Sequence, residues 1–112
     1  MELETEQVDA RTTVVSVQGR LTMGGAGELK SAVDREVAGG HTLVVVNLED
    51  TTFMDSSGLG ALVGGLRSAR AAGGDLRIAA VGAQVRTVLE LTTMDRVLRP
   101  YASVEEAVGD RR

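Results

Sequence analysis

The 112-residue chain contains no cysteine, one proline and only two aromatic residues, Phe53 and Tyr101. Without cysteine it can form no disulfide, no thiolate metal site and no cysteine nucleophile. The scarcity of aromatic rings, together with a net charge of -4, argues against direct nucleic-acid binding, which needs a basic face or stacking platforms.

Targeting and membrane signals are also missing from the sequence. No apolar run approaches the roughly 18 residues of a membrane span. The acidic start, Met1–Glu6, lacks the basic and apolar regions of a secretion signal. We therefore expect a cytoplasmic protein that neither binds nucleic acid nor inserts into a membrane.

The apolar pattern predicts one α/β domain over residues 1–112, because short β-branched runs alternate with stripes of helical spacing. The predicted strands are Leu3–Val8, Thr12–Val17, Thr42–Leu48, Leu76–Val81 and Val97–Arg99. The predicted helices begin near Ala26, Ser56, Val85 and Ser103, with a connecting link over Glu49–Asp55. We expect a mixed, mostly parallel sheet of four to five strands, about four helices and a disordered tail at 109–112.

The carboxyl end of the third predicted strand is the place to look for chemistry, since open α/β sheets carry their sites there. A nucleotide loop is excluded because Lys30 is the only lysine and no Gly-Lys-Ser/Thr sequence occurs. Glu49, Asp50 and Asp55 resemble the acids of a Mg²⁺-dependent phosphoacceptor site. That site also needs a lysine, so solvated loop acids are the favoured interpretation and we expect no metal.

A serine hydrolase is excluded by the position of the only histidine, His41. It lies at the amino end of its strand, about 20 Å from Ser56 and Ser57 at the carboxyl end. These serines stand where a helix begins, and Asp and Ser are favoured residues for capping free backbone N–H groups. Capping and a regulatory role remain open for this pair.

The segment Asn47–Gly60, with its core Asp-Ser-Ser-Gly-Leu-Gly at 55–60, resembles the signature of bacterial anti-sigma factor antagonists of the STAS-domain family. Gly19-Arg20-Leu21 is similar to the family's motif after the second strand, and Leu91–Met94 to its segment after the third helix. The similarity extends over nearly the whole chain. It implies the STAS fold, no catalytic activity and no cofactor.

The resemblance also implies a switch. In the family, the residue after the motif Asp is phosphorylated by an anti-sigma factor that is also a serine kinase. The resemblance assigns the phosphoacceptor to Ser56, with Ser57 as second choice and expected helix cap. It also implies that Asp55, Ser57, Gly58 and Leu59 flank the phosphoacceptor and bind the partner. The unphosphorylated form would bind the anti-sigma factor and release the sigma factor, whereas the form phosphorylated at Ser56 would not bind. A serine phosphatase is a further candidate partner.

Electrostatics makes such a switch physically reasonable. A phosphate adds about -1.5 to -2 charges, and we expect it to join Glu49, Asp50 and Asp55 in one negative patch. The domain itself should tolerate the phosphate, because free N–H groups at a helix start favour an anion.

Thr22 is a departure from the family, whose motif after the second strand commonly ends in Asp. Thr22 and the following Met23 remain candidate partner contacts, although Met23 can also be a simple lead into the helix. An alternative is a STAS module without phosphorylation, acting as a scaffold or small-ligand sensor in a signalling or transport assembly. Gly64 and Gly65 would then pack against a partner; the competing interpretation is packing against the domain's own sheet.

Overall fold

The valine-rich run after Arg11 forms the central strand of a mixed sheet. In the computed structural model, which describes residues 1–110, the strands are β1 (Glu2–Gln7), β2 (Thr12–Leu21), β3 (Leu43–Asn47), β4 (Thr51–Met54) and β5 (Asp75–Ala79). The sheet order is β1-β2-β3-β5, and β4 pairs with the last residues of β2. Only β1 is antiparallel to its neighbour; the other pairs are parallel. The predicted mixed, mostly parallel sheet is confirmed.

The helices cover both faces of the sheet. They are α1 (Met23–Ala38), α2 (Ser56–Ala71), α3 (Ala83–Leu91) and α4 (Val104–Gly109), with a short 3₁₀ turn at Met94–Arg96. Val15 and Val17 of β2 point into the main core formed with α1, α2 and α3, whereas Val14 packs in a smaller cluster with α4. Burial on both faces explains why these strands are apolar without alternation.

Two predictions about elements were wrong. The expected link before Ser56 contains β4, and Val97–Arg99 is not a strand, since the segment after it contributes only an isolated bridge between Ala79 and Tyr101. Pairing with β4 is possible because β2 continues past Gly19, where a positive φ of 96° accompanies a register shift. Glycine adopts this backbone without strain.

The structure describes two of the four residues of the predicted tail, Gly109 and Asp110. Gly109 is the last residue of α4, and the Asp110 carboxylate accepts a hydrogen bond of 2.6 Å from the Tyr101 hydroxyl. Arg111 and Arg112, the rest of that predicted tail, lie outside the described residues. None of the described helices is long and apolar enough to cross a membrane.

Candidate functional site

The two motifs singled out in the sequence meet where β2 and β4 end side by side. Leu21 is opposite Met54 in the parallel register, and the backbone N–H of Asp55 donates to the Leu21 carbonyl at 3.3 Å. Thr22, the next residue, therefore lies alongside Asp55. Strand pairing thus brings the 19–22 and 55–60 segments to one edge of the sheet, at the start of α2.

Asp55 caps α2. Its Oδ1 accepts hydrogen bonds from the backbone N–H groups of Ser57 at 2.9 Å and Gly58 at 3.1 Å. The prediction of Ser57 as the cap was wrong, because the cap must have an extended backbone and it is Asp55 that has one, with φ -107° and ψ -172°. Ser57 is already the second residue of the helix.

Ser56 is the first residue of α2 and is exposed, whereas Ser57 is half-buried. Of the two serines, Ser56 presents the more accessible hydroxyl to a partner. The expectation that free N–H groups would receive an anion at this helix start needs correction, since the Asp55 carboxylate already occupies the N–H groups of Ser57 and Gly58. A phosphate on Ser56 would meet N–H groups that a neighbouring negative charge already holds.

Gly58 and Leu59 hold the helix start against the sheet. A Cβ at Gly58 would lie 2.8 Å from Leu21 Cγ and 2.9 Å from Met54 Cγ, so only glycine fits without displacement. Leu59 is 8% exposed and belongs to the main core. Both residues position the serines, and neither presents a side chain to a partner.

Gln84 on α3 is a residue of the site that sequence reasoning missed. Its side-chain amide accepts a hydrogen bond from the Met54 N–H at 2.8 Å and donates to the Met54 carbonyl at 3.0 Å. These two hydrogen bonds satisfy the backbone N–H and carbonyl groups of Met54, the last residue of β4, directly before Asp55. No local sequence pattern predicts this contact, because Gln84 and Met54 are 30 residues apart in the chain.

The end of β2 supplies the remaining surface of the site. Thr22 precedes α1, and its carbonyl accepts bonds from the N–H groups of Gly25 and Ala26, while its side chain makes no capping bond within the described residues. Met23 is 79% exposed. The Arg20 guanidinium lies 4.4 Å from the centroid of the Phe53 ring, a cation–π geometry. This edge therefore combines one apolar and one cationic side chain next to Asp55.

The acids do not form the single patch expected from the sequence. Glu49 and Asp50 precede β4 and Asp55 follows it, so even Asp50 lies about 16 Å along the extended chain from Asp55. Within residues 1–110, no three His, Asp or Glu side chains cluster as metal ligands. His41 pairs with Glu36 at 3.1 Å, at the amino end of β3, as its position in the sequence predicted.

Comparison with known proteins gives a family model, the STAS domain, that matches residues 2–107. The anti-sigma F factor antagonist of Lysinibacillus sphaericus is 31% identical over 75 residues, which cover 66% of this chain and 64% of that protein. The curated relatives are matched over 63% to 65% of their own length.

Two solved structures with the name SpoIIAA are similar to this chain over most of its length. SpoIIAA in its unphosphorylated form superposes with a TM-score of 0.83 at 26% identity, covering 96% of this chain and 93% of that one. The Bacillus SpoIIAA in its phosphorylated form gives 0.75 at 25% identity, with 96% of both chains covered. With the family model extending from β1 into α4, the chain belongs to the STAS-domain family.

Proposed function

We propose that this protein is an anti-sigma factor antagonist controlled by phosphorylation of Ser56. Its unphosphorylated form binds an anti-sigma factor that is also a serine kinase, and the sigma factor is released. Phosphorylation of Ser56 by that kinase ends the binding, and a serine phosphatase reverses the modification. In this role the protein acts through its surface and not as an enzyme.

The observation that carries the proposal is the exposed hydroxyl of Ser56 on a rigid support. The Asp55 cap and the close approach of Gly58 to Leu21 fix the backbone on both sides of Ser56. A kinase therefore meets the serine in one defined position, which lowers the entropy lost on binding. SpoIIAA, which this chain resembles in fold, is known in unphosphorylated and phosphorylated forms, and this supports the same modification here.

The phosphate weakens binding through charge at an interface that must lose water. It adds about -1.5 to -2 charges beside the Asp55 carboxylate, whose Oδ1 stays bound to the backbone. The two groups compete for the same N–H donors, so the phosphate remains turned toward solvent and the partner. A penalty of about 3 kcal/mol would reduce affinity more than a hundredfold.

The uncharged side chain of Thr22 favours an alternative function, a STAS scaffold or small-ligand sensor that works without phosphorylation. It lies beside Asp55 and brings no charge to a position where the family commonly has one. The glycines do not support this alternative, because a Cβ at Gly65 would meet Leu76 and Val33 of the protein's own core, at 2.9 and 3.1 Å.

The test is a phosphorylation assay with matched serine variants. The anti-sigma kinase is captured with the Ser56→Ala variant, purified, and incubated with ATP, Mg²⁺ and wild-type protein before mass spectrometry. We expect one phosphate on Ser56, none on Ser56→Ala, and normal modification of Ser57→Ala. Modification of Ser57, or a kinase partner that leaves the wild-type protein unmodified, would contradict the proposal.

A further inference from the structure

Four arginines surround one small cleft at the end of α2 that is remote from Ser56. The cleft has a volume of about 160 Å³ and lies between the end of α2, the start of β5 and the segment 96–101. The charged side chains that line it are those of Arg70, Asp75, Arg77, Arg96 and Arg99. One third of the 12 basic residues of an acidic chain are therefore gathered here.

The backbone forces two of these charges together. Tyr101 forms a parallel bridge with Ala79, and its N–H donates to the Ile78 carbonyl at 3.0 Å. Arg99 and Arg77 each lie two residues before this bridge, and both line the cleft. Like charges gathered in one small cleft repel one another.

The carboxylate of Asp75 does not balance these charges. Its Oδ1 accepts a bond from the Leu76 N–H at 2.9 Å and lies 3.4 Å from Arg70 Nε, while Oδ2 lies 3.6 Å from Arg77 Nε. Within residues 1–110, neither Arg96 nor Arg99 forms an ion pair. The residues that line the cleft therefore carry four positive charges and one negative charge.

The floor of the cleft is rigid. Arg77 is only 8% exposed, and its Nη1 donates to the carbonyls of Ala107 at 2.6 Å and Asp110 at 2.7 Å. Its buried Nε has no hydrogen-bond acceptor among the described residues. Because this Nε is buried, Arg77 contributes positive charge to the cleft, and the exposed Arg96 and Arg99 supply its free donors.

We propose that the cleft binds a tetrahedral oxyanion, either inorganic phosphate or a phosphomonoester group. Guanidinium groups bind phosphate oxygens through paired, charge-assisted hydrogen bonds. The volume is too small for a drug-sized ligand, which needs about 300 Å³ or more. Arg70 is 14 residues after Ser56 on α2, about 21 Å along the helix, so the site is separate from the proposed phosphoacceptor.

The experiment is an NMR titration of the full chain, at constant ionic strength, with sodium phosphate, glycerol 3-phosphate and sodium acetate in parallel. Arg96→Gln/Arg99→Gln removes the two unpaired charges. Arg35→Gln/Arg86→Gln is the matched control, because it removes the same charge from exposed positions on α1 and α3 that do not line the cleft.

We expect phosphate or glycerol 3-phosphate to shift the amides of residues 96–101 saturably. The stronger of the two identifies the free anion or the monoester as the ligand. The Arg96→Gln/Arg99→Gln variant should bind at least tenfold more weakly and the control within twofold of wild type. Ser56→Ala should bind like wild type, which separates this site from the proposed switch. Unsaturable shifts, equal losses in both arginine variants, or equally tight acetate binding would overturn the proposal.

Discussion

Replacing Gly58 by alanine should destabilise the protein although alanine is the better helix former. The added Cβ would lie 2.8 Å from Leu21 Cγ and 2.9 Å from Met54 Cγ, and it would press on the Leu21 carbonyl oxygen, where ordinary contacts begin at 3.4 Å. The carbonyl cannot move aside freely, because it accepts the Asp55 N–H that joins the two strand ends.

The expected magnitude follows from two opposing effects. Overpacking a well-filled core costs about 1–3 kcal/mol, and forced backbone movement puts Gly58→Ala at the upper end. The gain in helix propensity is at most about 1 kcal/mol. A net loss of about 2 kcal/mol remains, which lowers the melting temperature by about 10 °C in a domain of this size.

Gly60→Ala is the control, because Gly60 is exposed on the same helix and its added Cβ would meet no described atom within 4 Å outside the adjoining residues and backbone of α2. This variant should be up to about 1 kcal/mol more stable than wild type. Both are measured by differential scanning calorimetry and urea unfolding. If Gly58→Ala is as stable as Gly60→Ala, the close approach of α2 to β2 described above is incorrect.

Three further predictions concern the supports of the site and the Lys30–Asp34 ion pair of α1. Asp55→Ala should lose about 0.5–2 kcal/mol of unfolding free energy with its two capping bonds, while Ser57→Ala should stay within about 0.5 kcal/mol of wild type; equal losses in urea unfolding would refute the assignment of the cap. Gln84→Leu should lose about 2 kcal/mol, because it leaves a strand edge without partners, and faster hydrogen exchange of the Met54 amide reports this directly. The hydrogen bond from Lys30, at 2.6 Å, holds the pKa of Asp34 below its ordinary 3.8. The stabilisation from this pair is therefore present above about pH 3.8 and is lost as the pH falls through the lowered pKa. Lys30→Met should raise the pKa of Asp34 in an NMR titration, and an unchanged value would contradict this cause.

The sequence predicted the fold best where apolar residues recur at the regular spacing of a strand or a helix. The unbroken apolar run at 43–46 predicts a strand covered on both faces, and the spacing of Leu59, Leu62 and Leu66 predicts the buried stripe of α2; all of these residues are buried or, for Leu43, half-buried. Such patterns are local, so a helix or strand can be predicted from them without knowledge of the rest of the fold.

What the sequence did not reveal depends on partners distant along the chain. β4 has four residues and only becomes a strand by pairing with the continuation of β2 past Gly19. The hydrogen bonds between the Gln84 side chain and the Met54 backbone join residues that are 30 positions apart. The assignment of the cap to Asp55 instead of Ser57 depends on a two-residue difference in where the helix begins, and the spacing of apolar side chains does not resolve such a difference.

The most direct test of the central claim is the dissociation constant of the anti-sigma kinase for this protein before and after stoichiometric phosphorylation of Ser56. We measure it by isothermal titration calorimetry without free ATP, so that modification and binding stay separate. The proposal predicts tight binding of the unmodified protein and at least a hundredfold weaker binding of the phosphorylated one, which corresponds to about 3 kcal/mol. Equal affinity of the two forms would contradict it.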